Sequence, residues 1–178
     1  MAAAVPDPEL PMLTLADLGV LAEVAEDGGA VTAWLTPTYS GCPAVAEMAA
    51  DVDRRLRAAG FADVRVRLRL DPPWSTDLIT PEGRRKLAEA GIAPPRPGAA
   101  AAAGSAGGST PLSLGPTRLA AAVGAAAGGS AAAGAEPVSC PLCGGTDTEE
   151  LSRFGSTACK ALWRCRDCRE PFERVKEI

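Results

Sequence analysis

Six cysteines carry most of the chemistry open to this sequence, and four of them fall in two spaced pairs. Cys140-Pro-Leu-Cys143 is followed, after 21 residues, by Cys165-Arg-Asp-Cys168. Two C-x2-C pairs bring four thiolates to the corners of a tetrahedron, the usual ligand set of a structural zinc site, here with a slightly long gap. Gly144 and Gly145 give the first pair the permissive backbone of a tight knuckle. Four thiolates also suit iron or an iron–sulfur cluster. Two disulfides, or four unrelated buried thiols, are the bland alternative. The paired spacing favours a metal, and zinc over iron, since nothing else points to a permanently redox-active centre.

The other two thiols stand apart. Cys42 lies between Gly41 and Pro43, at the expected N-terminus of a helix, where free N–H groups and the helix dipole favour a thiolate. It reads either as a reactive or metal-holding thiol or as a small apolar residue packed under the helix. Cys159 falls between the two C-x2-C pairs and could replace one ligand, stand as a fifth thiol near the site, or simply pack. Asp7, Glu9 and Asp17 are candidate acid/base groups or ligands, with turn and cap roles as the plainer account. Trp74, in Pro73-Trp74-Ser75, is expected on a loop, either exposed as a partner surface or folded back onto a sheet.

Composition narrows the chemistry. The 178 residues carry no histidine, so a Ser-His-Asp triad, a Cys-His dyad, a His-ligated zinc and a facial two-His-one-carboxylate iron site cannot be built from this chain alone. The net charge is −4, which weighs against a nucleic-acid footprint. The N-terminal stretch lacks a basic segment followed by an apolar one, so no secretory signal is expected. No run of about twenty apolar residues suggests a membrane span. A cytoplasmic protein follows, and cytoplasmic cysteines favour metal or redox chemistry over disulfides.

The elements that must position these thiols form two parts. Residues 7–92 predict a hairpin of Val20–Val24 and Val31–Leu35 turning at Gly28-Gly29. A helix from Pro43 to about Ala59 follows, with Val45, Met48, Ala49, Val52 and Leu56 on one face. Val64, Val66, Leu68 and Leu70 alternate with arginines as a strand with one buried face. A second helix starts at Thr80-Pro81-Glu82, a hydroxyl cap with proline at the first position, and ends at Gly91. Residues 93–137 are Ala, Gly, Pro and Ser, expected to form a disordered linker, with at most a turn of helix around Leu112, Leu114, Leu119 and Val123. Residues 138–178 hold the cysteine pairs, with strands expected at Leu151–Phe154, Ala161–Arg164 and Phe172–Val175, and should depend on metal to fold. The class is α+β.

These residues add up to a resemblance. Asp7-Pro8-Glu9, Asp17-Leu18-Gly19, Thr36-Pro37-Thr38 and Gly41-Cys42-Pro43 resemble the MIP18 (DUF59) family of iron–sulfur assembly factors. Pro72-Pro73-Trp74-Ser75-Thr76-Asp77, Gly91-Ile92-Ala93-Pro94-Pro95, Phe154-Gly155-Ser156-Thr157-Ala158-Cys159-Lys160 and Glu170-Pro171-Phe172 narrow it to the PaaD family of the phenylacetyl-CoA 1,2-epoxidase system. The resemblance implies a MIP18-like domain joined to a C-terminal zinc ribbon, and a part in aerobic phenylacetate degradation. It implies a non-catalytic accessory subunit that assists iron–sulfur or metal-centre assembly. Zinc would sit on Cys140, Cys143, Cys165 and Cys168, and iron or an iron–sulfur cluster would pass transiently over Cys42, with Cys159 as a second candidate thiol. The implied partners are the other epoxidase subunits, the oxygenase or the 2Fe–2S reductase; a homodimer is allowed, and neither nucleic acid nor membrane is expected. A structural bridging subunit is the alternative, and a zinc-ribbon nucleic-acid binder a more distant one. The chain has almost nothing before Asp7, where the family usually begins with a helix.

Overall fold

The computed structural model describes residues 1–39, 41–98 and 137–177. The expected linker and the turn of helix within it lie largely outside the described residues. The order is β1 (Leu21–Asp27), β2 (Ala30–Leu35), α1 (Val45–Ala58), β3 (Asp63–Leu68), α2 (Pro81–Glu89), β4 (Ile92–Ala93), β5 (Thr148–Ser152), β6 (Lys160–Cys165) and β7 (Pro171–Val175). Two sheets and two helices make an α+β fold.

The first sheet runs β1-β2-β3, with β1 antiparallel and β3 parallel to β2. A parallel neighbour requires a crossover, and α1 supplies it. Val31, Ala33 and Leu35 point from β2 into the core, where Met48, Val52 and Leu56 of α1 meet them. That is the apolar stripe expected of the helix. The expected inward face of β1 does not form: Val20 is buried just before the strand, but Val24 is 45% exposed. β1 is an edge strand with a register shift at its start, so α1 covers its neighbours instead. β3 also leaves the core early, with Val64 buried and Leu68 exposed.

The residues ahead of Asp7 contribute more than their number suggests. Ala2–Ala4 form a 3-10 turn, and Ala2 and Val5 are buried in the main core. α2 begins as expected, with Thr80 Oγ1 accepting from the Gly83 N–H at 3.0 Å. Gly83 sits against the Asp17 carbonyl, where a Cβ would come within 2.7 Å; only glycine lets this helix approach so closely.

The second sheet runs β4-β7-β6-β5 and takes a strand from each half of the chain. β4 pairs in parallel with β7, Ile92 opposite Glu173 and Ala93 opposite Arg174. Residues 93–98, assigned to the linker from composition, are therefore structured: Ala93 is in a strand, and Arg96 grips Glu177 through two parallel bonds of 2.9 Å each. Arg84 donates to the carbonyls of Pro95 and Thr76 from beneath. Val175 enters the main core. β5 begins three residues before the expected Leu151 and ends before Phe154, which is 77% exposed.

Candidate functional site

The knuckles put the four paired cysteines together. Cys140 and Cys143 flank a turn ahead of β5, Cys165 ends β6, and Cys168 closes the turn into β7. Their sulfurs all lie within 4.8 Å of one another. Cys140 is 3.8 Å from Cys168 and Cys143 is 3.6 Å from Cys165. Four sulfurs each about 2.3 Å from one tetrahedral ion would stand ~3.8 Å apart. The donor set and spacing therefore fit one thiophilic cation. Among the described residues, no other three or more Cys, Asp or Glu ligand atoms lie within such reach.

The electrostatics of the quartet also call for a cation. The Glu170 N–H favours the Cys168 thiolate, but burial and the sulfurs of Cys143, Cys165 and Cys140 outweigh it and push Cys168 up to about 12. Cys140 is lowered: burial opposes this, but the Cys143 and Leu142 N–H groups and the neighbouring thiols prevail. Four thiolates this close cannot coexist without a positive charge among them.

Cys42 and Cys159, from opposite halves of the chain, line one cleft. Its walls include Asp7, Glu9, Met48, Trp74, Val175 and Lys176, and it holds about 30 Å³ of free space. The ribbon hairpin brings Cys159 there, because the Lys176 N–H donates to the Cys159 carbonyl at 2.9 Å and Val175 anchors β7 in the front core.

The expected thiolate at Cys42 is not what the structure provides. α1 begins at Val45, so Cys42 precedes the helix instead of capping it. Burial raises its pKa above the ordinary thiol value; Glu9, Asp7 and Cys159 add to this, against one Ala44 N–H. Cys159 is raised for the same leading reason, with Glu9 adding and Thr157 and Lys160 opposing. Both cleft thiols are thus held toward the protonated form.

The carboxylates divide. Asp7 accepts from the N–H groups of Glu9 and Leu10 at 2.9 and 2.8 Å and lines the cleft. Burial raises its pKa, although those two bonds and Lys160 oppose. Glu9 faces the same space. Asp17 does not: it accepts from the Thr14 N–H and from Lys86 Nζ, at 2.9 and 2.8 Å, and so serves the turn before β1. Trp74 is corrected as a partner surface. It is 5% exposed, and its Nε1 donates to the Leu18 carbonyl at 2.9 Å, so the ring forms a cleft wall.

Lys160 escaped the sequence analysis. It is 4% exposed and its Nζ lies 2.7 Å from Glu173 Oε2. The Ser156 N–H donates to the other oxygen of Glu173 at 2.6 Å. Nothing in the spacing of Lys160 marks it as buried. Its place beside Cys159 in a buried strand is a tertiary fact.

A front α+β domain that presents one cysteine before a helix is thus closed by a four-cysteine β ribbon. The iron–sulfur cluster assembly protein family matches residues 3–70, and the PaaD zinc beta ribbon domain matches residues 125–176. The chain is 40% identical over 174 residues to an Escherichia coli (strain K12) protein provisionally named as the D component of 1,2-phenylacetyl-CoA epoxidase, covering 98% of this chain and 87% of that one. This chain belongs to the family of that epoxidase component. Two solved structures also match in part. A DUF59 domain from Bacillus anthracis is 26% identical, with a TM-score of 0.45, over 48% of this chain and 83% of that one. A Mycobacterium tuberculosis protein associated with Fe–S complex assembly and repair is 30% identical, with a TM-score of 0.30, over 49% and 77%.

Proposed function

We propose that this chain is a non-catalytic accessory subunit of the phenylacetyl-CoA epoxidase system that helps assemble an iron or iron–sulfur centre in a partner subunit. The observation that carries the reading is the meeting of Cys42 and Cys159, with Asp7 and Glu9, in a cleft that both halves of the chain complete. Cys140, Cys143, Cys165 and Cys168 hold a resident zinc that keeps the ribbon folded and so keeps Cys159 in place. The front part, through residue 98, acts as the cargo domain and residues 138–178 as its cover.

The cleft is suited to brief holding. It offers two thiols and two carboxylates, none of them part of a preformed cage. Its free space of about 30 Å³ matches one or two water-sized particles. An ion fits as the cleft stands; a cluster requires the ribbon to swing away. Cys42 also lines an open apolar groove with Pro37, Pro43, Val45, Leu68 and Leu70, so its sulfur can be approached from outside by an oxygenase or reductase subunit. Metal binding displaces the thiol protons to solvent. The cytoplasm is the compartment this chemistry suits.

The test is the metal content of the partners. In cells lacking this chain, the epoxidase reductase or oxygenase should purify deficient in iron. Restoration should require Cys42 and should fail with Cys42→Ser. Full iron occupancy without this chain would refute the assembly role and leave structural bridging.

A further inference from the structure

The two knuckles of the ribbon are built alike except at one position. The residue after the second cysteine has a left-handed backbone in each: Gly144, φ +76°, after Cys143, and Arg169, φ +68°, after Cys168. Glycine reaches that conformation without strain, whereas a residue with a Cβ does not. Arg169 is the one non-glycine with positive φ among the described residues. A strained side chain where the twin knuckle uses glycine points to a task for that side chain.

The task can be read from its surroundings. Arg169 is exposed and makes no hydrogen bond or ion pair among the described residues. It lines an open cavity of about 390 Å³ with Glu149, Arg164, Cys165 and Arg166. Arg164 and Arg166 share the single carboxylate of Glu149, through Nε at 2.9 Å and Nη2 at 2.7 Å. Asp147 stands 3.6 Å from Arg166. Glu149 and Asp147 are taken by Arg164 and Arg166, and among the described residues Arg169 is the guanidinium of the three left without a carboxylate. The cavity shares no lining residue with the Cys42 cleft.

We propose that the second knuckle is a docking point for an acidic segment of a protein partner, whose Asp or Glu carboxylate is held between Arg169 and the Arg164–Arg166 pair. Guanidinium forks match carboxylates in plane and spacing. A nucleic acid is a poorer match. The ribbon as a whole carries seven basic and seven acidic side chains over residues 138–178, so no basic stripe extends from the cavity to follow a phosphate backbone.

The test uses the full chain, metal-loaded, with a fluorescent hexaglutamate peptide as probe at low salt, inorganic phosphate as competitor and a fluorescent dT12 oligonucleotide in a parallel arm. Arg169→Gly removes the guanidinium while suiting the backbone. It should keep the ribbon metal and melt no lower than the parent, yet bind hexaglutamate about fivefold more weakly. In the parent, the Arg169 Nε–H resonance should shift saturably with peptide. Unchanged peptide affinity in Arg169→Gly would overturn the proposal. So would tighter binding of dT12 than of hexaglutamate, which would make the surface a nucleic-acid site. Displacement of the peptide by phosphate at equal charge concentration would reduce the cavity to a small-anion site and also refute it.

Discussion

The two sets of sulfur differ in who assembles them. The quartet is built by two short knuckles on one part of the chain, and its sulfurs already stand at tetrahedral spacing, 3.6–3.8 Å for the closest pairs. Cys42 and Cys159 are 117 positions apart in the sequence and meet only because β7 docks on β4. One site is a cage that wants a permanent occupant. The other is an incomplete set of donors, held toward the protonated form and partly buried, that can let an occupant go. A metal held by four thiolates is difficult to pass on; one held by two protein thiols and a carboxylate can be transferred. On the proposed reading, the ribbon spends its strong site on structure so that its weak one is correctly placed.

The sharpest way to break the comparison is to empty the cage. A structural zinc of this kind supplies on the order of 10 kcal/mol to the fold of its module. Cys143→Ser should lose the bound metal, as read by elemental analysis, and the ribbon's strand signal in far-UV circular dichroism. Because β7 is then no longer held on β4, Cys42 should alkylate faster. Cys42→Ser should retain the metal and the fold. Equal loss of metal in both variants would mean that the two sites are one.

A second way leaves the cage intact and loosens the cover. Lys160 is buried against Glu173 and lies close enough to Asp7 to affect its titration. Lys160→Met keeps the packing of the stem but strands the Glu173 carboxylate. Breaking a fully buried pair costs about 3–5 kcal/mol; Glu173 is 24% exposed, so about 2–3 is expected. Thermal unfolding should show that loss, and Lys160→Met with Glu173→Gln should recover most of it. Metal content should not change, while alkylation of Cys42 and Cys159 should quicken. Unchanged thiol accessibility would detach Lys160 from the cleft.

The difference between the sites also explains what could be read from the sequence. C-x2-C is a local device whose geometry follows from its spacing, so the quartet was legible residue by residue. The helices were legible for the same reason: Thr80-Pro81 and the Val45–Leu56 stripe act within a few residues. The cleft depends on distant pairing. A two-residue strand, Ile92–Ala93, has no periodicity to detect, and the Arg96–Glu177 fork joins residues 81 apart. Cys159 could therefore be grouped with Cys42 as a candidate cargo thiol, but no local signal showed how the two would reach one cleft. Trp74 was left open between a partner surface and a place against the sheet because Pro72-Pro73 reads as an exposed loop. The loop is there, but the indole N–H finds the Leu18 carbonyl and the ring goes inside. The thiolate at Cys42 failed by two residues, since α1 begins at Val45 instead of Pro43 and burial then governs the sulfur.

A gentler probe is pH. Both cleft thiols are raised above the ordinary value, led by burial in each case. An ion that binds them must displace their protons. Affinity should therefore climb as pH rises, about tenfold per unit for each thiol that binds, and level off only above the raised thiol values. Anaerobic ferrous titrations between about pH 6.5 and 8.5, at or below the ordinary thiol pKa, should show the slope, and Cys159→Ser should halve it. A flat profile would mean that the thiols do not ligate. The ribbon metal should stay bound throughout, because a filled cage keeps its sulfurs deprotonated.

The smallest effect concerns the wall between the sites and the core. Trp74 Nε1 donates to the Leu18 carbonyl in a buried setting, and Leu18 and Trp74 line the cleft together with Cys42. Trp74→Phe fills most of the same volume but leaves that carbonyl without its partner, a loss of about 1–2 kcal/mol. The melting temperature should fall slightly, with metal content and the Cys42 pH profile unchanged. If Trp74 instead met a partner through its face, the variant would melt like the parent and lose the partner. A stability loss with partner binding intact is therefore the outcome that keeps Trp74 inside, as a wall of the cleft.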